Sequence, residues 1–216
     1  MVERAHGVRE VVSSSLATPT MKFIKNTTWD EVFDGWEKRE ANNPGWVNCA
    51  TKIKGWPDWK SWRKFTASQI KADKREWKIY EFTNPSEEIP KMLIGPYSGW
   101  QSRLPKKNTA SFEDLLSIPK QLEEFSKHDG VLSIMEGLPF TTELIGIIRD
   151  DIDKIVCLEG HHRAVAITLS KIQGKNIDWS DTKIDIALTH LKKDEIQLLD
   201  EMLERGTTKE KSRDMT

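Results

Sequence analysis

Cysteine is nearly missing from this chain. Only Cys49 and Cys157 occur among 216 residues, in no CxxC or other paired spacing, which argues against a disulfide framework and a structural zinc site. A reducing cytoplasm is the setting that fits. Long apolar runs are missing too: none approaches the roughly 18 residues a membrane helix needs. The opening "MVERAHGVREVVSSSLATPT" carries acids and no continuous apolar stretch, unlike a secretion signal. The expectation is therefore a protein that neither spans a membrane nor is exported. An excess of one charge is also lacking. With 33 basic and 34 acidic side chains and a net charge of -1, nothing draws the whole molecule to nucleic acid or anionic lipid, so any polyanion site must be local.

What is present is ordinary core material, 37% hydrophobic residues, sufficient for one substantial core. Residues 1–20 are polar and poorly periodic and read as a flexible arm. From Met21 the pattern changes. Thr27 or Thr28 caps a predicted helix reaching about Ala41, because Trp29, Val32, Phe33 and Trp36 recur at helical spacing before the stop "NNPG". Residues 51–75 then hold eight Lys/Arg against Asp58 and Asp73, a local balance of +6. Within them Trp59, Trp62 and Phe65 align on one helix face, with Lys60, Arg63 and Lys64 expected to point elsewhere. Such a segment is a packed face, a nucleic-acid contact through interleaved bases and aromatics, or a partner surface. The packed reading makes 21–76 a basic aromatic helical cap.

Beyond it, "WKIYEFT" alternates as a strand and "NPSEEIP" breaks it. "KMLIGPYSGWQSRLPKKN" reads as a short strand and a long loop with Arg103, Lys106 and Lys107 on a positive edge. Ser111 and Asp114 form a capping-box pattern, and Pro119 begins another helix through "KQLEEFSKH". "ELIGIIR" and "KIVCLEG" are strands around the turn "DDID", "HHRAVAITLSKIQG" is a helix closed by Gly174, and "KIDIALTHL" is a strand. A charged amphipathic helix and a tail occupy 191–216. Helices and short strands without a regular βαβ rhythm indicate an α+β layer architecture.

The stretch with most chemistry is "LEGHHRAVAI", residues 158–167, where an apolar strand meets a helix. Gly160 lets backbone approach a ligand or adopt a positive φ. The amides of His161, His162 and Arg163 fall in the first helical turn, where orphan donors and the dipole favour an anion. Arg163 adds bidentate capacity toward phosphate. Two other readings stand beside this one. Glu159, His161 and His162 are metal-ligand types, although adjacent histidines diverge, and a packed turn with a histidine bonded to a neighbouring loop uses the same residues.

On "IVCLEGHHRAVAI" the chain resembles the ParB/sulfiredoxin fold family, in which an apolar strand, a glycine turn and a helix beginning with arginine and alanine recur. The resemblance covers about residues 77–190. It implies a small mixed sheet with packed helices, here with an N-terminal Trp-rich helical extension. Sulfiredoxins carry a catalytic cysteine where this chain has His161, and the DNA-partitioning branch continues into DNA-reading helices for which the residues after Leu191 are too few. The GHHR box is most similar to the branch of nucleotide-dependent kinases of free serine.

That likeness implies a phosphotransferase using ATP or ADP, with Mg2+ suspected, acting on a small hydroxylated, serine-like substrate. Gly160, His161, His162, Arg163 and Arg103 would then bind the nucleotide. Glu159 stands where the branch expects an aspartate, and Glu87 or Glu88 is the positional candidate for its second acid. The alternative is a nucleotide- or nucleic-acid-associated binding protein on the same scaffold, without catalysis, with nucleic acid reaching the 51–75 segment.

Overall fold

The computed structural model describes residues 21–210 and Ser212, so the arm expected over 1–20 and the end of the tail lie outside the described residues. The elements are β1 (Lys22–Thr27), α1 (Trp29–Glu40), α2 (Pro44–Asn48), α3 (Trp59–Ser68), β2 (Trp77–Glu81), α4 (Pro85–Glu88), α5 (Ser98–Gln101), α6 (Phe112–Ser117), α7 (Pro119–Phe125), α8 (Asp129–Glu136), β3 (Thr142–Arg149), β4 (Lys154–Glu159), α9 (His161–Ile172), β5 (Ile184–Leu191) and α10 (Gln197–Arg205). Among the described residues no helix is long and apolar enough to cross a membrane.

The five strands form one mixed sheet in the order β1-β2-β5-β3-β4. β3 and β5 run parallel at its centre, and the other neighbouring pairs are antiparallel. Both faces are buried. Leu144, Ile155, Cys157, Ile184, Ile186 and Leu188 face a cluster with α6, α7, α8 and α9. Ile79, Ile145, Ile147, Val156, Leu158, Ala187 and Leu191 face a second cluster built from α1, α3 and α10. Burial on both sides is why these strands read as continuous apolar runs rather than strict alternations. The result is a mixed α+β fold of three layers.

Local signals explain the outer layers. Thr28 caps α1 by accepting the Glu31 amide at 3.3 Å, and Asp58 caps α3 through the Ser61 amide at 2.6 Å. Ser111 and Asp114 form the expected capping box of α6. The α1 stripe Val32, Phe33, Trp36 and Glu40 and the α3 face Trp59, Trp62, Arg63 and Thr66 are buried against each other and the sheet.

Several expectations need correction. The 21–76 segment is not purely helical, since β1 pairs with β2 and extends the sheet. As an edge strand with Phe23 and Ile24 exposed, β1 has little inward pattern to read. The short strand expected near Leu93 is reduced to isolated bridges with Ser111 and Val156. The helix from Pro119 ends at Phe125, because His128 caps a further helix, α8, its ring Nδ1 accepting the Val131 amide at 3.3 Å. Arg63 does not point away from the aromatic face. It is 7% exposed and sits among the indoles.

Candidate functional site

The turn between β4 and α9 is built by two backbone irregularities. A bulge in the β3–β4 pairing sets Glu159 opposite Ile145 and Cys157 opposite Gly146, leaving Leu158 as the extra residue. The bulge breaks the alternation of β4, as such insertions do. Glu159 consequently lies with Trp29, Trp36 and Leu158 around a cavity on the face that carries α1 and α3. Gly160 then adopts φ +103°, and a Cβ there would stand 2.3 Å from Leu144 Cδ2. The positive φ is what requires glycine.

His161 enters the core. It is 6% exposed, and its Nε2 accepts the Gly95 amide at 3.1 Å while Nδ1 lies 3.8 Å from Cys157 Sγ. Trp100 stacks on the ring at 5.0 Å, with Tyr97 and Phe112 edge-on. Burial first, then the neighbouring His162, lowers its pKa to about 3, so the imidazole is neutral. His162 is half-buried between Trp46, Trp100 and His128, with ring centroids at 6.2, 5.1 and 5.4 Å. Burial, His128 and the Arg103 charge hold its pKa at about 4.

Arg163 folds back on its own layer. It donates to Glu159, to the Thr142 hydroxyl and, at 3.2 Å, to the Glu143 carbonyl. Glu159 is 5% exposed, and its Oε2 faces no donor. Burial and then the nearby charge of Glu159 raise the pKa of Glu40 to about 7. Arg63 donates to Glu40 at 3.1 Å, and its guanidinium lies 3.9, 4.7, 5.1 and 5.8 Å from the ring centres of Trp62, Trp36, Trp46 and Trp59. A desolvated cation over indole faces gains on the order of 2 kcal/mol from such contact, which helps to hold a buried guanidinium.

The expected site residues thus divide. Glu159, Gly160, His161, His162 and Arg163 share the turn, and Arg103 comes near His162 while donating to Gln121 at 2.9 Å and Glu124 at 2.5 Å. Glu87 and Glu88 are not brought there. Glu87 pairs with Lys171 at 2.9 Å, and Lys171 is ten residues along α9 from His161, about 15 Å of helix. Glu88 accepts the Asn84 amide at 2.7 Å. Glu40 and Arg63 escaped sequence reasoning, yet each stands four residues after a buried tryptophan, Trp36 and Trp59, and so on the same helix face.

The cavity against Glu159 measures about 10 Å3, room for about one water, whereas small-molecule sites run to roughly 300 Å3 or more. Among the described residues no group of three or more His, Cys, Asp or Glu is arranged to hold a metal ion. The chain matches no family model, and no curated protein or solved structure was found to match it.

Proposed function

We propose that this is a ParB/sulfiredoxin-like, nucleotide-dependent phosphotransferase acting on a small hydroxylated substrate. The observation that carries the reading is the turn itself. A strand ends in a positive-φ glycine, and a twelve-residue helix starts with its first amides beside Arg163 and a buried carboxylate. Helix-terminal amides and an arginine position phosphate, and a nearby carboxylate receives an acceptor proton. His162 and Arg103, both half-buried, flank the same turn and would border the nucleotide. A divalent ion would rest on the nucleotide's phosphates and one or two carboxylates, the common mode for Mg2+. Glu159, with an oxygen free of donors, is the residue that would hold it.

One observation favours the second reading, a nucleotide- or nucleic-acid-associated binding protein without catalysis. Arg163 and Glu159 are committed to each other, and the layer carrying Trp36 closes over them. Calorimetry with ATP, ADP, CTP and short nucleic acids separates the two, followed by an assay for phosphorylated serine. ATP or ADP binding with turnover is expected. Nucleotide binding without turnover across hydroxylated acceptors leaves the second reading, and no nucleotide binding ends the first. Arg103→Ala is the cleaner probe variant, because its surface pairs contribute about 1 kcal/mol or less to stability. It should weaken nucleotide affinity roughly tenfold.

A further inference from the structure

We propose that His128, His162 and Arg103 form a site for a phosphate group on the side of the turn that faces α7 and α8, apart from the Arg163 and Glu159 pair. The three sit around one aromatic floor. Buried Phe125 has Trp100 stacked on it at 5.6 Å, the His128 ring at 6.1 Å and the Arg103 guanidinium carbon at 5.1 Å from its centre. His162 closes the group, its ring 5.4 Å from His128 and 5.1 Å from Trp100. His128 is exposed and His162 and Arg103 are half-buried, so the cluster is open to a ligand.

The hydrogen bonds already made decide what that ligand is. His128 caps α8 through Nδ1, which accepts the Val131 amide at 3.3 Å. A neutral ring that accepts at Nδ1 carries its proton on Nε2. A metal at Nε2 would need that proton on Nδ1, where it would meet an amide that is itself a donor, so this ring serves an acceptor and not a cation. Arg103 donates from Nε to the Gly99 carbonyl at 3.1 Å and from one terminal nitrogen to Gln121 and Glu124. Its other terminal nitrogen, and both ring nitrogens of His162, have no hydrogen-bond partner in the protein among the described residues.

Each of the three side chains thus offers an N–H, and Glu124 is already taken by Arg103. A carboxylate is best read by two parallel bonds from one guanidinium, a fork that Arg103 can no longer present. Single donors from three side chains suit a tetrahedral group with three terminal oxygens, as in a phosphate monoester. Arg163 is committed to Glu159, so the cation that meets this phosphate is Arg103. Glu124, at 2.5 Å from it, offsets part of that charge and holds the affinity down. The site itself needs no nucleotide; only the choice of a nucleotide as the carrier rests on the function proposed above.

Inorganic phosphate, added to the whole chain at fixed pH and constant ionic strength and followed by histidine side-chain NMR, tests it. His128 and His162 should shift along one saturating curve, while His190, paired with Asp150 on β5, stays still. Sodium chloride at the same ionic strength should move none of them. Arg103→Gln should weaken phosphate binding roughly tenfold. His128→Asn, whose amide oxygen still caps α8 but which lacks the Nε2 donor, should weaken it about threefold. Glu124→Gln removes the competing charge and should tighten binding, a gain that a damaged fold could not produce. No saturable shift of His162, an equal shift of His190, or a midpoint that none of the three substitutions moves overturns the site. ADP in place of phosphate identifies the carrier. If ADP moves the same two histidines and displaces phosphate, the site holds a nucleotide's phosphate. If phosphate binds and ADP does not, the site stands for a free phosphate or phosphomonoester, and the nucleotide reading alone falls.

Discussion

The Gly95 amide donates to His161 Nε2 at 3.1 Å, which fixes the imidazole proton on Nδ1 and ties the loop before α5 to the first turn of α9. No larger residue fits at position 95. A Cβ there would lie 2.2 Å from the Cys157 carbonyl oxygen and 2.9 Å from His161 Nε2. Backbone cannot yield as a side-chain tip does, so Gly95→Ala should destabilise the chain by about 3 kcal/mol or more. Urea unfolding checks this, and a loss below 1 kcal/mol would mean the loop moves freely from the turn.

Arg163→Ala should cost about 3–5 kcal/mol, because it strips the partner from a carboxylate that stays buried. Replacing Arg163 by Met together with Glu159 by Leu should recover much of that loss, since paired apolar groups avoid the desolvation cost. Unfolding of the single and double variants measures both. A neutral Arg163→Ala would show that the guanidinium is not needed to hold the turn.

Stability should fall on acidification through the two lowered histidines. Their folded pKa values, about 3 for His161 and about 4 for His162, lie below the ordinary ~6.5 of the unfolded chain. The unfolded state therefore binds protons first as the pH drops below ~6.5, and each ring removes about 1.4 kcal/mol per pH unit until its folded pKa is reached. Glu40 has the opposite sign, as do the raised Glu88, Glu143 and Asp185. Glu40's stabilising contribution is complete below the ordinary carboxyl value and is gone above about 7. The opposed slopes place the stability maximum at mildly acidic pH. Urea unfolding from pH 4 to 8 checks this, and His162→Gln should flatten the acid limb.

Sequence pattern was enough to find α1, α3 and α9, because a core-facing helical stripe repeats every 3.6 residues whatever packs on it, and to find β2 to β5, whose short, largely apolar runs are bounded by turn residues. It located the turn at Gly160 for the same reason: a glycine between a strand and a helix has few other purposes. It could not distinguish Arg163 reaching for a ligand from Arg163 reaching for Glu159, since both use the same side chain at the same position. Nor could it connect Glu40 with the charge of Glu159, 119 residues away in the chain, which depends on the β4 bulge turning a side chain through to the other face. Arg63 falls outside the three-residue spacing of Trp59, Trp62 and Phe65 and so reads as pointing elsewhere, whereas a cation over indoles is stable when buried. β1 had no stripe to find, its side chains being exposed at the sheet edge.

The crowding of indoles on one side of the sheet has a spectroscopic consequence. Of nine tryptophans, Trp29, Trp36, Trp46, Trp56, Trp59, Trp62 and Trp77 belong to the cluster of α1, α3 and α10. The intrinsic fluorescence of the chain is thus dominated by one face. Near-ultraviolet circular dichroism will be dominated by that face too, through rings 5–6 Å apart such as Trp36 and Trp59, or Trp29 and Trp77. A melt followed by emission reports the undocking of that face, while far-ultraviolet dichroism reports the whole backbone. If the two curves fail to coincide, the face and the sheet separate in distinct steps rather than together.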